Sequence, residues 1–430
     1  MRWWLCGILS DYRGVIGEGC LELDASRGVI SRISKEPPSG ALVEDYRGKG
    51  FVVAPGFIDL HVHLRGLNLS YKEDEVTGCR AAAAGGVTLV VDMPNTSPPL
   101  TTPEALDAKL AALGEGCIVD HGVYAGIPGE PQLLGELASR PIAGFKVYPS
   151  DLRSPALREA LKLRRLVILH PETPEASRGD LASFEPASRA VHRGCWWEAL
   201  AVLELASIAP RWASVHVTHA SCPSTIEAAR GLGYTVDVTP HHLFYEALPG
   251  LDPCLYRVNP PLRGHAERVG LLKLLLEGRV DAVASDHAPH TPREKALPPT
   301  CPAGFPWLEA WPWMLFRLVR AGALSLGEFH WLVSRGPALV LGLRNYGELS
   351  VGARANVVVY DPKTPGRFPG PRHSKARLYP AFMAETAGQP IEVVVGGNKV
   401  YFEGELAEAP QGAVNPFKRR SRGPRPPSKN

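Results

Sequence analysis

Eight short apolar runs alternate with helix-like segments through the middle of this 430-residue chain. The runs are rich in Val and Ile and apolar on both faces, as strands buried on both sides are. Helical patterns such as residues 102–116, 195–209 and 265–278 separate them. The alternation predicts an α/β fold, a (β/α)8 TIM-type barrel, which spends about 250 residues on one core. The runs are GFIDLHVH, GVTLVVDM, CIVDHGVYAG, IAGFKVY, LVILHPE, ASVHVTHAS, TVDVTP and VDAVASDHA.

The two ends of the chain follow a different pattern. GCLELDASRGVISRIS near the start and IEVVVGGNKVYFEGE near the end are short, turn-punctuated β segments of the kind found in hairpins. We therefore predict a small β-sandwich domain built from both chain ends, residues 1–54 and 345–410. The barrel, residues 55–344, would be inserted between them. Residues 411–430, basic and proline-rich, are predicted to be a disordered tail.

Charge and hydropathy restrict the classes of function. The formal net charge of +3 lies largely in the final residues and is too small to indicate nucleic acid or a membrane surface as a partner. No run of about 18 apolar residues occurs, and the start lacks a signal-peptide cleavage site, so we expect a cytoplasmic protein. The eight cysteines include no CxxC pair. Most are expected to be reduced, buried and inert.

Side chains with the chemistry of metal ligands recur where the predicted barrel strands end. His61 and His63 are two residues apart on the first strand and so face one side, and Arg65 follows at the same spacing. The carboxyl ends of barrel strands meet at one mouth, where active sites are built. One isolated histidine would be read as a core residue, but imidazoles and a carboxylate converging at one end suit zinc or a similar ion. The candidate ligands are His61, His63, His170, His219 and Asp286.

Lys146 lies in the fourth predicted strand. A lysine buried in a barrel is costly unless it is neutral or paired. Beside two cations, a deprotonated amine can take up carbon dioxide and become an anionic carbamate. Such a group can bridge two ions about 3.5–4 Å apart. The alternative is an ordinary surface or salt-bridged lysine.

Seven motifs, spread in order over about residues 50–340, resemble the dihydroorotase branch of the amidohydrolase superfamily, the cyclic amidohydrolases. They are PGFIDLHVHLR, AAAAGGVTLVVDMPNT, GFKVY, VHVTHAS, DVTPHHLF, RVNPPLR and ASDHAPHT with AGFPWLE. The flanking SVGARANVVVYDP is also typical of that superfamily. The resemblance implies reversible, zinc-dependent cyclisation of N-carbamoyl-L-aspartate to L-dihydroorotate, a step of pyrimidine (UMP) biosynthesis.

The resemblance also implies a role for each site residue. His61, His63 and Asp286 would bind the first of two zinc ions, and His170 and His219 the second, with N6-carboxylated Lys146 as the bridge. A bridging hydroxide would attack the ring amide carbonyl while Asp286 shuttles the proton. The residues implied in holding substrate are Arg65, Asn95 and His290 at its carboxylate, and Asn259 with the backbone of Ala303 and Gly304 at its ring amides.

Some features depart from the pattern or leave alternatives open. RGLN follows the first histidine pair where many relatives have Arg-Glu-Pro-Gly, and LHPET replaces the frequent His-Ala-Glu. Asp237 is a weaker candidate for an extra ligand, and His241 and His242 are expected to support the site or the structure. The other functions considered are a hydantoinase, dihydropyrimidinase or allantoinase, and a non-catalytic scaffold. A homodimer and association with aspartate carbamoyltransferase are implied as possible assemblies.

Overall fold

Strands and helices alternate through the middle of the chain, and strands predominate at both ends. A computed structural model describes residues 1–178, 184–380 and 385–418. The strands are β1 (Arg2–Asp11), β2 (Gly14–Asp24), β3 (Val29–Ser34), β4 (Val43–Asp45), β5 (Val52–Pro55), β6 (Phe57–Val62), β7 (Val87–Asp92), β8 (Asp120–Gly126), β9 (Gly144–Val147), β10 (Leu166–Leu169), β11 (Val215–Val217), β12 (Thr235–Val238), β13 (Ala282–Val283), β14 (Val357–Arg367), β15 (Glu385–Val395), β16 (Asn398–Phe402) and β17 (Glu405–Leu406).

The helices lie mostly between the strands of the middle region. They are α1 (Glu75–Ala84), α2 (Pro103–Gly116), α3 (Leu133–Ser139), α4 (Pro155–Ala160), α5 (Pro186–His192), α6 (Cys195–Ile208), α7 (Pro223–Gly231), α8 (Pro240–Phe244), α9 (His265–Leu276), α10 (Pro292–Lys295), α11 (Trp311–Arg320), α12 (Leu326–His330) and α13 (Gly336–Val340). Among the described residues, no helix combines the length and apolar character needed to cross a bilayer.

The middle of the molecule is a parallel barrel. Within the described residues, eight strands from β6 to β13 pair in chain order, and all eight predicted apolar runs contain one of them. A parallel bridge between Val62 and His287, with a 2.7 Å bond from His63 N to His287 O, joins the first strand to the segment after the last. The strands read as apolar runs because helices cover the outside and packed side chains fill the inside.

Both chain ends build a second sheet. In the described residues its order is β17-β16-β15-β14-β5-β1-β2-β3, with β4 paired to β1. Strand β5 joins the two ends, because it pairs in parallel with β1 and antiparallel with β14. The predicted sandwich thus takes the form of one continuous hydrogen-bonded sheet, and the predicted fold class is confirmed. The domain boundaries stay a prediction.

The beginning of the predicted tail docks on the barrel. Val414 N donates to Asp120 Oδ1 (2.7 Å), and Asn415 Nδ2 donates to Pro141 O (3.0 Å). Phe417 packs on the cluster of apolar side chains at the amino ends of the strands, against Gly122. The prediction of a disordered tail is therefore wrong for residues 411–418, whose polar backbone finds partners in the barrel. Residues 419–430 of that prediction lie outside the described residues.

The cysteines contradict the expectation of reduced thiols. All eight are paired in disulfides, so Cys222, which follows His219 closely, is bonded to Cys195 rather than simply packed. The pairs are Cys6–Cys20, Cys79–Cys117, Cys195–Cys222 and Cys254–Cys301. The expectation failed because it inferred the thiol state from an expected cytoplasmic location, and some intracellular proteins are rich in disulfides.

Candidate active site

A cavity of about 430 Å³ opens at the carboxyl ends of the barrel strands. It brings together eleven of the twelve site residues proposed from the sequence; the twelfth, His290, contacts Arg65. The residues that line the cavity are His61, His63, Arg65, Asn95, Lys146, Tyr148, Pro149, Ser150, His170, Arg193, His219, Asn259, Asp286, Ala288, Ala303 and Gly304.

His61, His63 and Asp286 form a compact group of potential ligands. Their ligand atoms lie within 4.8 Å of one another, and Asp286 Oδ1 is 3.3 Å from His61 Nε2 and 3.2 Å from His63 Nε2. The opposite ring nitrogens are held from behind. Nδ1 of His61 lies 2.6 Å from Thr218 Oγ1, and Nδ1 of His63 donates to Asn95 Oδ1 (2.7 Å). These bonds direct both Nε2 atoms toward the carboxylate.

His170 and His219 form the second group, with ring centroids 4.5 Å apart. His170 Nε2 donates to Glu172 Oε2 (2.7 Å), and Arg193 Nε donates to the other oxygen of that buried carboxylate (2.8 Å). The backbone N of His219 donates to Asp237 Oδ1 (2.6 Å). A metal-binding histidine characteristically bonds a carboxylate through its other ring nitrogen, as His170 does here. That arrangement leaves Nδ1 of His170 available to the cavity.

Lys146 reaches the same place from the middle of the barrel. Its side chain is fully buried, and its Nζ has no hydrogen-bond partner among the described residues. The centroid of the Tyr148 ring lies 5.4 Å from Nζ. Burial lowers the pKa of Lys146 to about 7, although Asp286 acts in the opposite direction. The amine therefore has a substantial neutral fraction near neutral pH.

Burial also keeps the imidazoles neutral. It lowers the pKa values of His61 and His219 well below the ordinary value, with the charges of Lys146 and neighbouring histidines adding to the effect. It lowers those of His63 and His170 as well, against the opposing hydrogen bonds to Asp286 and Glu172. Neutral imidazoles are the form that binds metal.

These residues fit a divalent metal pair. Lys146 Nζ and His219 Nδ1 are buried polar atoms that find no hydrogen-bond partner in the described part of the chain. Such atoms are costly unless something else satisfies them. Nitrogen and carboxylate donors around an accessible cavity are also the ligand types that zinc prefers. The two groups of ligands share one cavity, and the rings of His61 and His219, one from each group, are 5.0 Å apart.

Three site residues adopt the left-handed backbone region. The φ angles are 58° at Arg65, 41° at His219 and 48° at Asp286. Side chains with a Cβ seldom adopt this region, and strain of this kind clusters at functional sites. Each residue follows a barrel strand at the point where the chain must turn outward, so the strain aims its side chain at the cavity.

Arg65 is a buried guanidinium without a counter-ion. It is 6% exposed, and in the described residues no carboxylate pairs with its guanidinium. Its Nη2 lies 3.2 Å from His290 Nε2, which is itself 2.9 Å from Ala303 O. Its backbone carbonyl accepts from Lys109 Nζ (3.1 Å). A buried cation beside a cavity needs an anion, and a carboxylate matches the planar fork of arginine.

Two loops on the far side carry the remaining candidates. Asn259 belongs to the loop after α8, and Ala303 and Gly304 belong to the loop after β13. Gly304 N donates to Arg257 O (2.8 Å), so the loops contact each other directly. Arg189 donates to Val258 O (2.6 Å) and also to Asn259 Oδ1. The Asn259 amide nitrogen thus remains for a ligand.

Two weaker candidates are placed differently from a ligand. Asp237 has both oxygens engaged, one by His219 N and the other by His216 Nε2 (2.8 Å). It therefore supports His219 from below. His242 lies between Thr239 Oγ1 (2.8 Å) and Pro260 O (3.0 Å). His241 is fully buried against Phe305, with ring centroids 5.3 Å apart.

Sequence reasoning missed several residues of the site. Tyr148, Ser150 and Arg193 line the cavity, and the buried Tyr148 hydroxyl has no partner among the described residues. Glu172 could have been found, because the E of LHPET stands where a carboxylate two residues after His170 can bond its ring. Arg193 carries no such signal, because it lies 21 residues from Glu172 and meets it only in the folded chain.

Comparison with known proteins identifies the family of the chain. The amidohydrolase family model matches residues 52–400. A dihydroorotase of Aeropyrum pernix is 50% identical over 312 residues, covering 70% of this chain and 72% of that protein. A dihydroorotase of Saccharolobus solfataricus is 37% identical over 403 residues, covering 94% and 95%.

Solved structures share the fold at lower identity. A dihydropyrimidinase from Brevibacillus agri superposes with a TM-score of 0.84 at 23% identity, covering 96% of this chain and 98% of that one. An L-hydantoinase from Arthrobacter aurescens gives 0.85 at 22%, covering 96% and 99%. The relatives confirm both the resemblance to dihydroorotases and the predicted enzyme class. With a family model spanning most of its length and curated relatives at these identities, the chain belongs to the amidohydrolase family.

Proposed function

We propose that the protein is a dihydroorotase, which interconverts N-carbamoyl-L-aspartate and L-dihydroorotate in pyrimidine biosynthesis. One observation carries the proposal: the buried guanidinium of Arg65, which pairs with no carboxylate of the described residues, shares a cavity with a group of metal-type ligands. The substrate must then carry an anion next to the bond that reacts. Dihydroorotate has this combination, a ring carboxylate beside a cyclic amide. Relatives named dihydroorotase, which match nearly the whole chain, support the assignment.

The residues that would hold two zinc ions are those of the two ligand groups. His61, His63 and Asp286 would hold one ion, and His170 and His219 the other, with Lys146 between them as its carbamate. Bound zinc supplies Lewis-acid polarisation of a carbonyl and lowers the pKa of water toward about 7. The lowered pKa of Lys146 favours the neutral amine that carbamate formation requires.

Asp286 would move the proton. In hydrolysis, a water molecule adds to the ring carbonyl and the carbon–nitrogen bond of the ring breaks. Asp286 takes the proton from the attacking water and gives it to the ring nitrogen as that nitrogen leaves. The distances of 3.3 and 3.2 Å from Asp286 Oδ1 to His61 Nε2 and His63 Nε2 support this role, because they put the carboxylate among the proposed metal ligands. The reverse transfers close the ring.

The remaining residues would orient the ring. Arg65 would pair with the substrate carboxylate through its two-pronged guanidinium, with Asn95 and His290 beside it. Asn259 and the backbone of Ala303 and Gly304 would bond the ring amides from the opposite wall. Hydantoin and dihydrouracil lack the carboxylate and would leave Arg65 buried without its counter-ion, which disfavours them.

A substrate panel tests the proposal. Zinc-loaded protein should open dihydroorotate and close N-carbamoyl-L-aspartate, and should act far more slowly on hydantoin, dihydrouracil and allantoin. Metal analysis of the same sample should approach two ions per chain. Preference for hydantoin or allantoin would replace the proposal with another cyclic amidohydrolase. Metal-free protein that cannot be loaded and opens none of these rings would indicate a scaffold.

The proposed assemblies rest on the resemblance alone, and the proposed location rests on hydropathy. A homodimer, association with an aspartate carbamoyltransferase and a cytoplasmic location remain predictions. Light scattering of the purified protein, alone and mixed with the carbamoyltransferase of the same source, measures the first two. A monomeric mass in both samples would contradict them.

A further inference from the structure

Two loops that carry proposed substrate contacts lie side by side at the mouth of the barrel. We call residues 245–264 the strand-seven loop and residues 288–307 the strand-eight loop. The first carries Asn259, and the second carries Ala303 and Gly304. These residues form one wall of the cavity, so the distance between the loops sets the shape of that wall.

Two cross-links join the loops in parallel. The first is the disulfide Cys254–Cys301. The second is the 2.8 Å bond from Gly304 N to Arg257 O, three residues further along both loops. Lys295 Nζ adds a third contact by donating to Cys254 O (3.0 Å). The spacing is the same on both loops, so they form a short ladder that ends next to Asn259.

In the strand-eight loop, the disulfide lies at the boundary between an exposed stretch and a buried one. Residues 296–300 are exposed, and Leu297 is 52% exposed. The next residue, Cys301, is buried, with 2% of its surface exposed. Beyond it, Phe305 O accepts a hydrogen bond from Ala288 N (2.9 Å). The disulfide therefore separates an exposed arch from the segment that faces the cavity. Without it, motion of the arch would reach Ala303 and Gly304 directly, because loops with few buried contacts open at low energetic cost.

The strand-seven loop has the same arrangement. Residues 248–250 and Asp252 are exposed, and Cys254 is buried at 5%. Both cysteines thus stand where an exposed stretch returns to the barrel. A disulfide between these two points fixes the place where each loop becomes buried again. Fixing loops in their binding conformation lowers the ordering cost of a ligand.

We propose that the disulfide Cys254–Cys301 is a positioning element for substrate, holding Asn259 opposite the backbone of Ala303 and Gly304 so that the ring amides meet preformed partners. The inference rests on the proposed function, since it concerns the wall that contacts the dihydroorotate ring. Cys254 and Cys301 act through their loops and do not touch the reacting atoms. The disulfide Cys6–Cys20 is different, because it joins directly paired residues of β1 and β2 in the end sheet.

The test is the double variant Cys254→Ser/Cys301→Ser in the zinc-loaded enzyme. KM for dihydroorotate should rise about tenfold, because the preformed wall is lost from the resting enzyme. The value of kcat should change less than about twofold, because Asp286 and the ligand groups are untouched and the wall contacts are made equally in bound substrate and transition state. The metal content should equal that of the unmodified protein.

The matched control is Cys6→Ser/Cys20→Ser, which removes a disulfide from the end sheet and should leave KM and kcat unchanged. An unchanged KM in the Cys254/Cys301 variant would overturn the inference while the proposed function stands. A rise in KM of equal size in both variants would also overturn it, since the effect would then be general loosening. Unmodified protein that fails to turn over dihydroorotate would overturn the proposed function and this inference together.

A measurement on the unmodified protein keeps the inference testable if the double variant does not fold. Non-reducing peptide mapping should recover the Cys254 and Cys301 peptides as one linked species. In this experiment the purified protein is denatured and alkylated without reduction. Recovery of Cys254 and Cys301 as alkylated free thiols would overturn the inference. Hydrogen exchange of the same protein should show a slow amide at Gly304 that becomes fast after reduction of the disulfide. A rate unaffected by reduction would count against it in the same way.

Discussion

Lys109 and Lys146 are both fully buried, yet their surroundings are opposite. Lys109 on α2 lies 2.6 Å from Glu75 and 2.6 Å from Asp92. Burial alone would lower the pKa of Lys109, but the two carboxylates outweigh burial and raise the pKa. Lys146 on β9 has no hydrogen-bond partner in the described residues, and burial lowers its pKa to about 7.

The difference separates a paired cation from an amine that finds no hydrogen-bond partner in the described residues. Lys109 is charged at neutral pH and holds the turn after β6 by donating to Arg65 O (3.1 Å). Gly66 of this turn has φ 64°, and a Cβ there would lie 2.1 Å from Glu75 Oε1, so only glycine fits above the ion group. Lys146 is left without the partners that would keep it protonated. Pairing compensates the charge of Lys109, whereas desolvation favours the uncharged form of Lys146. We therefore expect the two lysines to have different roles.

The largest effect is expected from substitution of Lys146. Lys146→Ala should lower metal content and reduce turnover of dihydroorotate about 10⁴-fold, since the proposed bridging carbamate, and with it both proposed ion positions, would be lost. Metal analysis and steady-state kinetics measure this. Short carboxylic acids should restore part of both by occupying the space of the carbamate. Lys162→Ala, at an exposed lysine that pairs with Glu159, is the control and should behave as the unmodified protein. Full metal occupancy in Lys146→Ala would exclude the bridge.

The next largest effect is expected from substitution of Lys109. Lys109→Met leaves Glu75 and Asp92 buried without their cation, which should cost about 3–5 kcal/mol of folding free energy. Thermal and urea unfolding of the variant measure the loss. Lys162→Met should cost less than about 0.5 kcal/mol, because exposed ion pairs contribute little. A Lys109→Met protein as stable as the control would show that the ion group is dispensable.

A third effect concerns the residue that Lys109 supports. Arg65→Met should retain both metal ions and lower kcat/KM for dihydroorotate about a hundredfold, close to 3 kcal/mol, through loss of the charge-assisted pair with the substrate carboxylate. Arg279→Met, at an exposed arginine paired with Glu227, serves as the control. Normal turnover by the Arg65 variant would mean that the carboxylate assignment is wrong.

The smallest effect is a pH dependence that sharpens the comparison. The pKa of Lys109 is raised above its unfolded value of 10.5, so its ion group stabilises the fold fully below that value. The contribution is lost as pH rises through the folded pKa. The difference in melting temperature between the unmodified protein and Lys109→Met should therefore be constant near neutral pH and shrink above about pH 10.5. A difference that already shrinks between about pH 7 and pH 9 would contradict the pairing.

The sequence predicted the barrel and the ligand groups because both depend on regular features. Apolar runs such as GVTLVVDM mark strands covered on both faces, and carboxyl ends of parallel strands converge wherever the loops go. Thus His61 and Asp286, 225 residues apart in the chain, could be placed together before the structure was known. Arg65 was predicted beside them from a strand spacing of two, and it does line the cavity, although β6 ends at Val62 and Arg65 lies in the turn that follows.

Features set by loop geometry could not be predicted. The four disulfides join cysteines 14 to 47 residues apart, and no spacing rule indicates which segments approach each other. Lys109 reads as an ordinary exposed residue of an amphipathic helix, because its two carboxylates come from α1 and β7. Phe417 lies in a basic, proline-rich stretch whose composition indicates a free tail, yet it meets Gly122 at the foot of the barrel. In each case the partner is distant in the chain and unrelated by any periodicity.

The pairing of β5 with β14 has a consequence for synthesis on the ribosome. The two strands are neighbours in the end sheet, but residues 56–356 are made between them. At about 5–20 residues per second, the first hairpins emerge roughly 15–60 s before their partner strand exists. Throughout that interval the edge of β5 is open, so nascent chains translated from one message could pair with one another. Slowing elongation late in the coding region should therefore raise the fraction of chains lost to aggregation.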